Sequence, residues 1–147
     1  MAILKSGTSI VLGDWASLQK DAQAVRYAVF VVEQKIPAEL EWDAMDAQCL
    51  HAVAYDAQQQ VVGTGRLLPD GHIGRMAVMA SARNSGVGAD ILRTLMEQAK
   101  LRGDKLVQLN AQQSAEPFYA REGFARNGDI FMEAGIAHIC MAYEFNV

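Results

Sequence analysis

The seven residues Arg83-Asn84-Ser85-Gly86-Val87-Gly88-Ala89 stand between an apolar run, Ile73 to Met79, and a helix-patterned stretch that opens at Val87. A helix start leaves four backbone N–H groups without intrahelical acceptors, and the aligned peptide dipoles add partial positive charge there. Glycines in such a turn let the backbone approach a ligand and aim successive N–H groups inward, forming an anion nest. Arg83 adds a full positive charge, so the segment suits a diphosphate. A nucleotide phosphate loop would close on Gly-Lys-Ser/Thr, whereas Gly88 is followed by Ala89-Asp90. A dinucleotide fingerprint would put a third small residue at position 91, which is Ile. A plain tight strand-to-helix turn with two glycines is the other reading of the same residues.

Downstream of the loop, Val87, Ile91, Leu92, Leu95, Met96 and Ala99 share one helical face opposite Asp90, Arg93, Glu97 and Lys100, and Gly103 stops the helix. Leu106–Asn110 then reads as a short buried strand. A brief helix is expected from a cap at Ser114, with Pro117 in its first turn and Gly123 closing it. Phe124 onward and Ala137–Phe145 read as strands. Upstream, Leu50–Tyr55 and Val61–Leu68 form a hairpin, and Pro69-Asp70-Gly71 turns into the strand Ile73–Met79. Before them, Thr8–Leu12 reads as a first strand and Asp14 as a helix cap. Leu18, Ala22, Val25, Val29 and Val32 make one apolar stripe on a helix from Trp15 to Val32. Pro37 ends that helix or opens a short second one, and the acidic loop Glu39–Asp46 carries Trp42. The order β-α-α-β-β-β-α-β-α-β-β predicts an α/β domain: one mixed central sheet with helices on both faces.

The 147 residues are 51% apolar and 20% charged, which suits a single folded domain over 1–147 and excludes disorder from weak hydrophobicity. Thirteen basic and 17 acidic side chains leave a formal charge of −4, without the basic face of a nucleic-acid binder. Cys49 and Cys140 lie in apolar surroundings and read as buried thiols. No Cys/His ligand spacing is present, so no metal is expected. The start Met1-Ala2-Ile3-Leu4-Lys5-Ser6-Gly7 lacks signal-peptide character, and no apolar run is long enough to span a bilayer, so no membrane partner is expected and a reducing cytoplasm is the simplest location.

Arg-x-x-Gly-x-Gly-Ala at 83–89 resembles the acetyl-CoA pyrophosphate motif of the GNAT N-acetyltransferases. Gly74-Arg75-Met76-Ala77-Val78 resembles that superfamily's fourth strand. Asn110, Ala115, Phe118-Tyr119 and Gly123-Phe124 match its Asn…Ala…Phe-Tyr…Gly-Phe signature. Four further stretches are similar to the ElaA/YjcF-like branch: Val29-Phe30-Val31-Val32-Glu33-Gln34, Glu41-Trp42-Asp43, Gly63-Thr64-Gly65-Arg66-Leu67 and Glu133-Ala134-Gly135-Ile136-Ala137-His138. Together these pieces span nearly the whole chain in the family's order.

The resemblance implies a GNAT fold whose fourth and fifth strands splay apart to admit the pantetheine arm of acetyl-CoA. Main-chain groups of Met76, Ala77 and Val78 would pair with that arm. The backbone of Asn84, Ser85, Gly86, Val87, Gly88 and Ala89 and the Arg83 side chain would hold the pyrophosphate. Asn110 would reach the arm, and Phe118 would pack beside the cofactor, although an aromatic there also suits plain core. The Val78 N–H would face the oxyanion of the tetrahedral intermediate. Tyr119, at the family's tyrosine position, would protonate the leaving thiolate; packing under the short helix is its other reading.

A lysine-like amine has a pKa of about 10.4, so a base must take a proton before attack. Glu33 and His138 rank first as acceptor-site residues, with Glu41, Asp43, Asp46 and Glu133 or a water chain as other routes. His51 and His72 read as structural or exposed, and Trp42 as either a pocket wall or a loop anchor. The function implied is transfer of acetyl to a small primary amine or exposed amino group. A non-catalytic acyl-CoA sensor on the same fold is the alternative, and a third reading, a nucleotide-phosphate binder, is weakened by the missing lysine after Gly88. GNAT proteins often pair through C-terminal strands, so a homodimer is compatible with the resemblance while the oligomeric state stays open.

Overall fold

Ala52 and Ala54 turn to one side of the strand Leu50–Tyr55 and Val53 to the other, and this alternation sorts the core into two layers. The computed structural model describes residues 2–3 and 7–145, with side chains from Gly7 onward. Its first sheet is antiparallel throughout and runs in chain order: β1 (Ala2–Ile3), β2 (Ser9–Gly13), β3 (Leu50–Tyr55), β4 (Val61–Leu67) and β5 (Ile73–Val78). A second antiparallel sheet comprises β6 (Leu106–Gln112), β7 (Ala125–Glu133) and β8 (Ile136–Glu144), with β8 in the middle. The sheets meet at one parallel bridge, His72 to Gln108, where the Gln108 N–H donates to Gly71 O at 3.1 Å. The single mixed sheet expected from the sequence is therefore two antiparallel sheets touching at one end of β5 and β6.

Helices cover both faces, as the element order implied. On one side lies α1 (Trp15–Arg26), packing Leu18 and Ala22 against Val53 and Val25 near Ala77. On the other lies α3 (Val87–Leu101), whose Ile91, Leu92 and Leu95 are fully buried, each contributing about 1.5–3 kcal/mol of hydrophobic stabilisation. At two positions of β4 the packing against α3 leaves no free space for a Cβ: one at Gly63 would sit 2.7 Å from Ile91 Cδ1, and one at Gly65 3.0 Å from Ile91 Cγ2 and 2.6 Å from Met76 Sδ. The two glycines thus set how closely helix and sheet approach.

Asp14 caps α1 by accepting from the Ser17 N–H at 2.9 Å. The helix then winds into a π-helical segment, Tyr27–Glu33, in which the Gln34 N–H reaches back five residues to Val29 O at 3.0 Å. The wider winding keeps Val29 buried but rotates Val32 off the stripe, leaving it 58% exposed instead of in the core. Pro37 opens α2 (Ala38–Glu41). A 3₁₀ turn, Gln113–Ala115, precedes α4 (Glu116–Arg121), which has no side-chain cap, so Ser114 does not serve in that role. Cys49 is buried, with its thiol donating to Met45 O at 3.1 Å, whereas Cys140 is only half-buried. Among the described residues no helix is long and apolar enough to cross a membrane.

Candidate active site

Where β5 and β6 part, a cleft of about 700 Å³ opens, walled by Met76, Ala77 and Val78 on one side and Leu109, Asn110 and Gln112 on the other. Backbone direction follows from register. The Met79 N–H bonds Val62 O at 2.8 Å, so the next pair, Val78 opposite Gly63, is non-hydrogen-bonded and the pair after it, Ala77 opposite Thr64, is bonded. Val78 therefore points its N–H and C=O away from β4 into the cleft, while Ala77 spends its main-chain groups on β4. The register then slips: two residues of β5, Arg75 and Met76, face Gly65 alone.

The glycine loop stands at the Val78 end. Asn84 and Gly86 take left-handed backbone, with φ of +61° and +91°, which asparagine and glycine tolerate best. No side chain caps α3, and its first intrahelical bond is Asp90 N–H to Gly86 O at 3.0 Å. The N–H groups of Val87, Gly88 and Ala89 accordingly lack intrahelical acceptors. Residues Arg83–Gly86 are exposed, and the Ser85 hydroxyl donates to Ala82 O. A Cβ on Gly88 would meet Phe118 Cζ at 3.5 Å and Val78 Cγ2 at 3.6 Å, so Phe118 packs against the loop. Arg83 lines the cleft but is already engaged. It forks onto Glu33 at 2.5 and 2.6 Å, and its Nε–H donates to Val78 O at 3.0 Å. The Arg83 hydrogen bonds hold the Glu33 carboxyl below its ordinary range, which makes Glu33 a weak base.

Tyr119 lines the cleft from α4, its ring packed edge-on to Phe118 and Phe124 with centroids 5.0 and 6.0 Å away. Burial alone pushes its phenol up to about 12, so the hydroxyl stays protonated throughout the physiological range. On the β6–β8 side of the cleft, His138, paired with Gln112 across β6 and β8, is 7% exposed and stacks on Phe131. Its Nδ1 lies 2.7 Å from Ile136 O, and a carbonyl only accepts, so Nδ1 carries the hydrogen. Nε2 lies 3.7 Å from the Glu133 carboxylate. Of the sequence candidates, the cleft thus gathers Met76, Ala77, Val78, Arg83, Asn110 and Tyr119 with Glu33, Glu41, Asp43, Glu133 and His138, and the glycine loop and Phe118 stand against its Val78 end.

The acidic loop has a different character from the one its sequence suggested. Asp46 is buried and does not line the cleft. It accepts from Arg26 at 2.9 and 3.0 Å and from Arg66 at 2.8 Å. Glu41 and Asp43 reach the cleft but are bound to Arg26 at 2.5 Å and Arg66 at 2.6 Å. Sequence reading missed these arginines. The available signal is Arg26 at the helical spacing of the apolar stripe, four residues after Ala22, together with four acids in one loop, Glu39, Glu41, Asp43 and Asp46. Trp15 stacks on the network, with the Arg26 guanidinium 5.3 Å from its ring centre. His51 donates from Nε2 to Asp46 O at 2.8 Å and is held neutral by burial, a structural role. Trp42 is 69% exposed and walls nothing. His72 lines the cleft beside Asp70, at 3.0 Å.

Burial works against the charged forms of Asp43 and Asp46, but hydrogen bonds and charges, from Arg66 for both and Arg26 for Asp46, outweigh it and hold both below the usual 3.8. Folded values below unfolded ones mean that the network's stabilisation is complete above pH 3.8 and is lost as pH falls through the lower folded values. Asp46→Ala removes the carboxylate shared by two buried guanidinium groups and leaves Arg26 only Glu41 and Arg66 only Asp43, so urea unfolding at pH 7 should read a loss of about 3–5 kcal/mol. A loss under about 1 kcal/mol would show that Glu41 and Asp43 suffice to hold the two guanidinium groups.

Three comparisons bear on this arrangement. A family model described as acetyltransferase (GNAT) domain matches residues 18–145. The uncharacterized N-acetyltransferase YjcF of Bacillus subtilis (strain 168) is 40% identical over 126 residues, covering 83% of this chain and 89% of the relative. Among solved structures, a putative N-acetyltransferase from Lactobacillus plantarum superposes with a TM-score of 0.86 at 28% identity, over 94% of this chain and 98% of that one. Escherichia coli ElaA gives 0.82 at 27%, over 93% and 99%. With the cleft, the glycine loop and these likenesses in agreement, the chain belongs to the GNAT family as an N-acetyltransferase of the ElaA/YjcF-like branch.

Proposed function

We propose that the chain transfers acetyl directly from acetyl-CoA to a primary amine, acting as one domain over residues 1–147. The observation that carries the reading is one cleft lined by Val78, with its inward N–H, by Tyr119 and by His138, with the uncapped start of α3 packed against its Val78 end. In this account the diphosphate sits on the amides of Asn84–Ala89. The pantetheine amides pair with Met76 and Val78, and Asn110 reaches the same arm from β6. Arg83 joins the diphosphate only by giving up part of its fork to Glu33, so Glu33 acts as a counter-ion that positions Arg83 and not as the base.

The amine nitrogen attacks the thioester carbon, and the oxygen takes the negative charge facing the Val78 N–H. His138 Nε2 accepts the proton that the nitrogen sheds, and Glu133 stabilises the imidazolium. The C–S bond then breaks. A phenol near 12 is a weaker acid than a thiol near 8.5, so full transfer from Tyr119 would be uphill by about 5 kcal/mol. Tyr119 thus serves chiefly by donating a hydrogen bond to sulfur as charge builds, and the net proton comes from the amine through His138. The two free thiols suit a reducing compartment such as the cytoplasm.

Thiol release from acetyl-CoA across a panel of primary amines tests the reading. The expected result is amine-dependent release with equimolar amide product. Acetyl-CoA that raises the melting temperature without any turnover would establish the sensor alternative instead.

A further inference from the structure

Arg75 occupies the β5 bulge with φ at +49°, a left-handed conformation that costs a side chain about 1–2 kcal/mol. Its side chain lines the cleft and is 29% exposed. Its two nearest carboxylates form only loose ion pairs with it, beyond hydrogen-bond reach, and each is held more closely by another arginine. Glu41 lies 3.6 Å from Nε but is held by Arg26 at 2.5 Å, and Asp43 lies 3.6 Å from Nη2 but is held by Arg66 at 2.6 Å. The one direct bond is a long one, Nη2 to Glu41 O at 3.4 Å. Nε is buried with no hydrogen-bond partner.

A strained backbone that delivers an under-bonded guanidinium to a cleft wall points to a ligand that completes it. Arg26, Arg66 and Arg75 balance Glu41, Asp43 and Asp46, so an incoming anion meets no net negative charge. Desolvation foremost, with Arg66 and Arg26 adding to it and Glu41 and Asp43 opposing, makes Arg75 less basic than usual. The planar fork suits a carboxylate, and Phe30, Ile36, Leu40 and Ile73 in the same cleft suit an apolar body attached to it.

We infer that Arg75 binds a carboxylate of the transfer substrates, carried either by the amine acceptor or by the acyl chain. This rests on the acyltransferase reading above. Two matched series separate the sources. With acetyl-CoA, L-leucine is compared with 3-methylbutylamine and L-phenylalanine with phenethylamine. With phenethylamine fixed, succinyl-CoA is compared with butyryl-CoA. Native protein should favour the carboxylate member of one series at least tenfold in kcat/KM. In Arg75→Gln that ratio should fall to about one, and in Arg75→Lys to an intermediate value, with melting curves confirming that both variants fold.

Calorimetry on the products supplies a readout without turnover. N-acetyl-L-leucine against its amide, or N-succinyl- against N-butyryl-phenethylamine, should show the same preference and the same loss in Arg75→Gln. Turnover with no carboxylate preference in either series, or a preference that survives Arg75→Gln, overturns the Arg75 assignment and leaves the transferase reading intact. Selective product binding without any turnover sinks the transferase reading and supports the carboxylate site, and neither turnover nor selective binding overturns both.

Discussion

Tyr119→Phe is expected to lower kcat about a hundredfold or more while acetyl-CoA affinity changes less than about threefold. The ring's contacts with Phe118 and Phe124 survive the change, because phenylalanine keeps the same aromatic body. The hydroxyl's raised pKa comes from burial alone, with no protein hydrogen bond contributing, so its removal orphans no partner. What disappears is a neutral donor on the cleft surface. Since the phenol titrates near 12, the native rate should carry no descending limb from Tyr119 below about pH 10. Thiol-release kinetics and calorimetric titration of acetyl-CoA check both halves. An unchanged kcat would strip Tyr119 of its role and return it to the core.

Gly86→Glu should abolish the thermal stabilisation by acetyl-CoA. At a hundredfold excess over Kd, that stabilisation is worth about 2.7 kcal/mol in the native protein. Gly86 holds φ at +91°, which a side chain resists, but the larger effect is electrostatic. A carboxylate at the start of α3 is attracted by the same uncapped amides and helix dipole that would hold phosphate, so it fills the site from within. Gly86→Asn brings a side chain that tolerates the left-handed region and adds no charge, and it should keep most of the melting shift. Equal shifts in native protein and Gly86→Glu would move the diphosphate elsewhere.

Local periodicity made most of the fold legible. The α3 stripe, the β3–β4 hairpin and the Asp14 cap depend on neighbours within a few residues, and all stand where the sequence puts them. The failures share a cause, which is dependence on distant partners. Val32 leaves the core because α1 rewinds into π-helical form over Tyr27–Glu33, and nothing in an apolar stripe marks a change from four-residue to five-residue bonding. One sheet became two because strand pairing beyond the hairpins is decided by packing. The glycine loop was readable since a helix start carries its own chemistry. The sequence leaves Arg83 free for phosphate, because its partner Glu33 lies fifty positions away. Asp46 is a candidate base by sequence, but Arg26 and Arg66, twenty residues to either side, enclose it. Arg75 gave no sign, as the bulge has neither glycine nor proline at its centre.

The most direct measurement is a crystal structure of the acetyl-CoA complex. Diphosphate oxygens should lie about 3 Å from main-chain nitrogens between Asn84 and Ala89, with the thioester oxygen toward the Val78 N–H and sulfur beside the Tyr119 hydroxyl. Acetyl-CoA found with its diphosphate away from those amides, or with its sulfur remote from Tyr119, would contradict the account.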